Sequence, residues 1–187
     1  MGRTGTSTSR ARSEPAYTVP GLELDQAGEL LPILQERLDA LNELALTLKH
    51  VHWNVVGPTF IGVHTMLDPQ VEAVRLMVDE VAERMAALGG SPSGTPGALV
   101  ERRRGKDYPL GRDTVQRHIQ ELDAAYENVL QAHRECVSST EEPDPMTQDM
   151  LIDQARRLEQ FQWMVRAHME SAAGGLERQT GKDGATS

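Results

Sequence analysis

Residues 59–90 read TFIGVHTMLDPQVEAVRLMVDEVAERMAALGG. Leu67, Val71, Val74, Val78, Val81, Met85 and Leu88 recur at alternating spacings of 4 and 3, the pattern of a helix that buries one stripe. Thr59 is placed to cap its start. Gly89 and Gly90, with Pro92 behind them, stop it. No run of the chain alternates convincingly with the period of a half-buried strand.

Working outward, a first helix carries Leu31, Leu34, Leu38, Leu41, Ala45, Leu48 and Val55 on the same kind of stripe, with His52 among them. Pro32 is tolerable because it falls near the start of that helix. A third helix holds Val115, Ile119, Leu122, Tyr126 and Val129 and ends before Pro143. A fourth runs from about Met146 to Ala173 with Leu151, Ala155, Leu158, Val165 and Met169. The first and second helices are linked by a few residues around Gly57-Pro58, and the third and fourth by Glu142-Pro143-Asp144-Pro145. The second and third are separated by a stretch from Gly89 to Arg112. Two hairpins joined by one long crossover make an all-α, ferritin-like four-helix bundle. The expected domain is 21–173. Residues 1–20, polar and with Pro15 and Pro20, read as a disordered tail, and residues 174–187, Gly-rich and polar, as a flexible one.

Composition narrows the function classes. Of 187 residues, 39% are apolar and only 4% aromatic, which fits an aliphatic helical core. The net charge of −9 favours cations over nucleic acid. The lone Cys136 allows no intramolecular disulfide and, placed on the apolar side of the third helix, reads as inert packing in a reducing, cytoplasmic setting. No span suits a lipid-facing helix, and the first twenty residues lack the apolar core of a secretory signal. Nucleophile-elbow, Walker, dinucleotide and C-x-x-C motifs are missing.

The chemistry is carried by His52, His64, Asp68, Asp79 and Glu83. His64 and Asp68 are i, i+4 on one helix, and Asp79 and Glu83 repeat that spacing. At about 100° per residue from His64, Asp68 stands near 40°, Asp79 near 60° and Glu83 near 100°, an arc roughly 120° from the apolar stripe. Asp68 and Asp79 are also about 16 Å apart along the axis, at 1.5 Å per residue, while metal–ligand bonds are about 2 Å. One helix cannot bring both pairs to one metal; a second, antiparallel copy across a two-fold axis near Ala73 and Val74 can. Two identical centres per dimer follow, each taking His52, His64 and Asp68 from one chain and Asp79 and Glu83 from the other. Imidazole and carboxylate without thiolate suit iron(II), manganese or zinc. No E-x-x-H motif offers a competing centre inside the bundle. Taken singly, a histidine in a helix stripe is more often core and paired acids more often a solvated face, and His50, His118, His133 and His168 are read that way.

These residues also carry a resemblance. His52-Trp53-Asn54-Val55-Val56-Gly57 with Val63-His64-Thr65-Met66-Leu67-Asp68, and then Val78-Asp79-Glu80-Val81-Ala82-Glu83-Arg84 with Leu88-Gly89, resemble the two signatures of the Dps family (DNA-binding proteins from starved cells, or miniferritins). Lys49, one turn before His52, fits as well, and the helical pattern from about 22 to 173 agrees. The resemblance implies a hollow dodecamer of 23 symmetry that oxidises Fe²⁺ at the dimer interface, with hydrogen peroxide preferred to dioxygen, and stores ferric mineral inside. It implies the five residues above as ligands, with Glu83 the strong carboxylate and Asp79 either a ligand or an orienting group for a water or Lys49. Trp53 is then placed to quench one-electron oxidants; ordinary packing is its other reading.

Asp144, Asp149 and Asp153 stand where acidic residues of the family line three-fold pores, and three copies of each would focus a negative field for incoming iron. Acids at the start of a helix also stabilise its dipole. For DNA, the N-terminal tail offers Arg3, Arg10 and Arg12 but no lysine, and residues 21–187 carry about −11 of the total of −9. Twelve such tails would act multivalently at low salt. Arg102, Arg103, Arg104 and Lys106, the densest basic run, read as a solvated loop or an interface pairing. Two alternatives stand beside the ferroxidase: a non-specific DNA-binding, nucleoid-compacting structural protein, and a helical binding module without chemistry.

Overall fold

The computed structural model describes residues 15–103 and 105–170. In chain order these form α1 (Leu24–Asn54), β1 (Val55–Val56), α2 (Phe60–Ala87), α3 (Pro96–Arg102), β2 (Asp113–Thr114), α4 (Val115–Thr140) and α5 (Pro145–Ala167). α1 pairs with α2 and α4 with α5, and the two hairpins meet through α1 against α4 and α2 against α5. This is the four-helix bundle with one long crossover that the unequal connections predict.

The stripes close on one another. Leu34, Leu41 and Leu48 of α1, Leu67, Val74 and Val81 of α2, Ile119, Leu122 and Tyr126 of α4, and Leu158 and Val165 of α5 share one core. Each such leucine is worth about 1.5–3 kcal/mol relative to an exposed one. Polar ties cross this core. The Tyr126 hydroxyl donates to Gln70 Oε1 at 2.8 Å, and Gln154 Nε2 donates to Glu80 at 2.8 Å. At the far end of α2, Arg84 donates to Asp144 at 2.5 Å and to Thr147 Oγ1 at 2.9 Å. Cys136 is buried, and burial pushes its thiol up, as inert packing requires.

Several expectations need correction. α1 starts seven residues before Leu31, with the Glu23 amide donating to Gln26 Oε1 at 3.1 Å, so Pro32 is an interior proline that takes an amide out of the ladder. Thr59 does occupy the N-cap of α2, but its hydroxyl makes no capping bond. α5 ends at Ala167, so Met169 lies beyond the helix and is exposed. Residues 15–20 do not behave as tail: Pro15 is buried, and Tyr17 donates to the Ala86 carbonyl at 3.2 Å across the end of α2. Residues 1–14 and 171–187, the remainder of both expected tails, lie outside the described residues.

The crossover is more structured than its composition suggests. It contains α3, which no stripe announces because none of its residues is buried. Arg102 donates to Asp39 at 2.5 and 2.7 Å, and Arg103 to Glu43 at 2.6 and 2.8 Å, so this part of the basic run is clamped onto α1. Arg104 lies outside the described residues. The crossover ends in a parallel pair, Val55 with Asp113 and Val56 with Thr114, which ties it to the turn after α1. No helix among the described residues is long and apolar enough to cross a membrane.

Candidate metal centre

The α1–α2 turn builds the site. Gly57 takes φ +116°, a conformation open to glycine, and the chain reverses tightly enough to set the last turn of α1 against the first turns of α2. His52 and His64 then stack, ring centroids 3.7 Å apart and planes 27° from parallel. Asp68 stands one turn further along α2. One donor atom from each of His52, His64 and Asp68 lies within 4.8 Å of the others.

Hydrogen bonding sorts these atoms. His64 Nδ1 lies 2.8 Å from the His52 carbonyl oxygen. A carbonyl only accepts, so Nδ1 carries the proton and Nε2 presents a lone pair. Such fixing of one ring nitrogen by a carbonyl is what orients an imidazole toward a metal. His52 Nε2 is 3.0 Å from Asp68 Oδ1, and His52 Nδ1 is buried without a hydrogen-bond partner. A buried nitrogen without a partner costs free energy unless something binds it. The Asp68 side chain is half exposed, and the Lys49 ammonium 2.8 Å away, with His52 beside it, holds its carboxyl below the usual carboxylate range. Two imidazole nitrogens and an ionised carboxylate at this spacing fit a hard-to-borderline divalent cation and leave its remaining positions open.

Asp79 and Glu83 do not join this cluster. Both are exposed, 11 and 15 residues beyond Asp68, on the outward face of α2. Glu80 and Arg84, next to them in sequence, bind Gln154 and Asp144 on the α5 side and fix the rotation of the helix that turns Asp79 and Glu83 away from the core. Within its own chain Lys49 pairs with Asp68. Trp53 is 70% exposed, so packing within its own chain does not explain it.

The three aspartates considered for a pore part company. Asp144 is 5% exposed and bound by Arg84 and Thr147. Burial alone would raise its carboxyl, but those partners outweigh burial and hold it low, so Asp144 secures α5 to α2 instead of facing a channel. Asp149 is exposed, and Asp153 is exposed and paired with Arg156 at 2.8 Å. The other histidines have separate duties. His50 Nε2 meets the Leu110 carbonyl at 2.7 Å, His118 stacks on Tyr108, His168 Nδ1 meets the Met164 carbonyl at 2.9 Å, and His133 is buried, with burial and the Arg37 cation pushing it down to about 4.

Comparison with known proteins bears on the fold and the family. The ferritin-like domain family matches residues 32–173. The DNA protection during starvation protein of Mycolicibacterium smegmatis is 54% identical over 161 residues, covering 86% of this chain and 88% of that one. The chain belongs to the Dps family of ferritin-like proteins. Among solved structures, DpsA14 from Streptomyces coelicolor superposes with a TM-score of 0.84 at 57% identity, over 88% of this chain and 98% of that one. The chain is also similar to a protein with a different name: the fine tangled pili major subunit of Haemophilus ducreyi is 46% identical over 94% of this chain and 93% of its own.

Proposed function

We propose that this Dps-family protein is a ferroxidase and iron store. Fe²⁺ is the substrate, bound where His52, His64 and Asp68 of one chain meet Asp79 and Glu83 of a second. The observation that carries the reading is the half-built cluster: three convergent donors, with His52 Nδ1 buried and unpartnered, and two exposed carboxylates further along the same helix. The geometry calls for a second chain because the two halves are about 16 Å apart along α2. The family resemblance supports hydrogen peroxide as the oxidant. Two Fe²⁺ ions each give up one electron, the O–O bond of one peroxide breaks, and two hydroxide ions form, so no hydroxyl radical is released. His64, held by its Nδ1 proton, and Asp68, kept ionised by Lys49, orient the first ion. Glu83 supplies the balancing carboxylate, and Trp53 stands exposed beside the site to intercept stray one-electron oxidants.

The product is stored as ferric mineral in a cytoplasmic dodecamer of 23 symmetry, and Asp149 with Asp153 line the path for iron. DNA protection, which the M. smegmatis relative's name records for that protein, follows from removing Fe²⁺ and peroxide together. Direct DNA contact rests on the tail arginines Arg3, Arg10 and Arg12, since Arg102 and Arg103 are occupied by Asp39 and Glu43.

The test is anaerobic loading with Fe²⁺, then peroxide, following ferric absorbance. His52→Ala and Glu83→Ala should each slow oxidation at least about 100-fold. Unchanged rates in both would overturn the site. For DNA, gel retardation should fall steeply with salt and vanish without residues 1–20. Retention by the truncated protein would move the contact elsewhere.

A further inference from the structure

We propose that the groove between α1 and α4 is a binding site for a small organic anion: a monocarboxylate with a short apolar body, its carboxylate held by Arg37. None of the metal-centre residues takes part, so the two readings stand or fall separately.

Arg37 breaks the usual rule for buried charge. It is 6% exposed, in the middle of α1. Its guanidinium keeps its proton in any folded protein. Yet Nε and Nη1 are buried without a hydrogen-bond partner, and Arg37 enters no ion pair among the described residues. Arg84 and Arg102, both less buried, each bind an aspartate. A buried cation without a counter-charge is strongly destabilising. On its core side the neighbour of Arg37 is His133, which burial and the Arg37 charge push down to about 4, so at neutral pH it supplies no negative charge. In the groove, Glu43 turns Oε1 to Arg103, at 2.6 and 2.8 Å. The counter-charge for Arg37 therefore has to arrive from outside the chain.

The groove beside Arg37 has room for it. Its volume is about 390 Å³, within the range of roughly 300–1,000 Å³ typical of small-molecule sites. Ala40 and Leu44 of α1 face Ala125, Val129 and Ala132 of α4 across it. Alanine at 40, 125 and 132 keeps the gap between the helices open where larger side chains would fill it. From Arg37 to Leu44 is about 10 Å along α1 at 1.5 Å per residue. The site thus has one cationic end and an apolar length. Inorganic phosphate would meet the charge and leave the alanine and valine walls in water. A monocarboxylate meets both: its two oxygens match the guanidinium fork, and its body covers the apolar walls. The crossover edges the groove with Lys106, whose exposed ammonium adds a positive field at the mouth.

The test uses octanoate as the probe on the full-length assembled protein, by isothermal titration calorimetry, with inorganic phosphate and octanol as comparisons. Octanoate should bind at least about tenfold more tightly than either, and Arg37→Leu should weaken it by at least about tenfold. Ala132→Phe, which fills the groove and leaves Arg37 in place, should weaken it similarly. Circular dichroism checks that both variants fold. Without ligand, Arg37→Leu should melt no lower than the wild type, because it replaces an uncompensated buried charge with an apolar side chain. Absence of octanoate binding overturns the proposal, as does binding that survives Arg37→Leu, or phosphate binding as tight as octanoate. A large fall in the melting temperature of Arg37→Leu also overturns it, since Arg37 would then have its partner inside the protein.

Discussion

The two ends of α2 solve different problems. At its N-terminal end, His64 and Asp68 are partly sheltered by α1, bonded to the His52 carbonyl and to Lys49, and set against His52. At its C-terminal end, Asp79 and Glu83 stand in solvent. The first end is assembled by the fold of one chain; the second is only aimed by it. An exposed carboxylate on a rigid helix costs the monomer almost nothing, while a buried one would need partners of its own. A protein that divides a metal site between copies can therefore keep half of it ready and leave the other half wet until a neighbour arrives.

The sharpest attempt to break this contrast mixes two dead proteins. On the shared-centre proposal, chains with His52→Ala lack the assembled half and chains with Glu83→Ala lack the lent half, so each homodimer has no intact centre. A mixed dimer has one intact centre and one doubly damaged one. With random pairing, about a quarter of wild-type oxidation should return. If the mixture stays as inactive as its parents, the two residues serve the same chain, and the distinction between the ends of α2 disappears.

What the sequence could and could not disclose follows the same division. The stripes of Leu34 to Leu48 and Leu67 to Leu88 were legible because burial selects apolar residues at a fixed period. His52, His64 and Asp68 were legible because turn length and i, i+4 spacing bring them together locally. Long-range polar pairing was not. Nothing in the local pattern distinguishes Asp144, bound to Arg84 across 60 residues, from a free acid at a helix start. Nor does it show Arg102 and Arg103 gripping Asp39 and Glu43. α3 is not legible in the sequence, because a helix that buries nothing leaves no period to read. Trp53 looked like ordinary packing, since an apolar residue next to a core stripe usually is; here it faces out.

The Arg84–Asp144 pair makes the C-terminal end depend on α5. Its members are 18% and 7% exposed at the side chain, so removing one strands the other in the interior. Asp144→Asn should cost about 3 kcal/mol at pH 7, read by thermal unfolding at fixed protein concentration. The sign with pH is fixed. A carboxyl held below its unfolded value of about 3.9 contributes stability that is present above that pH and lost as pH falls through the lower folded value. The wild type should weaken more steeply than Asp144→Asn on acidification below about pH 4. Equal slopes would mean that Arg84 contributes no more than packing, and that the aim of Glu83 is set by something else.

A smaller effect compares the glycines that bound α2. Gly57 and Gly89 both lie in the left-handed region, at φ +116° and +81°. Around Gly57 an added Cβ meets nothing within 4 Å, whereas at Gly89 it would fall 2.0 Å from the Tyr17 backbone oxygen. Alanine at 57 therefore tests backbone strain alone, worth about 1–2 kcal/mol. Alanine at 89 adds the displacement of residues 15–17 from the end of α2. If that segment helps to hold the C-terminal end, Gly89→Ala should melt a few degrees below Gly57→Ala and should also free the Tyr17 hydroxyl from Ala86, detectable as faster amide exchange at the end of α2. Equal melting of the two variants would show that the docked segment rests on the helix without securing it, leaving Arg84 as the main anchor of the lent half.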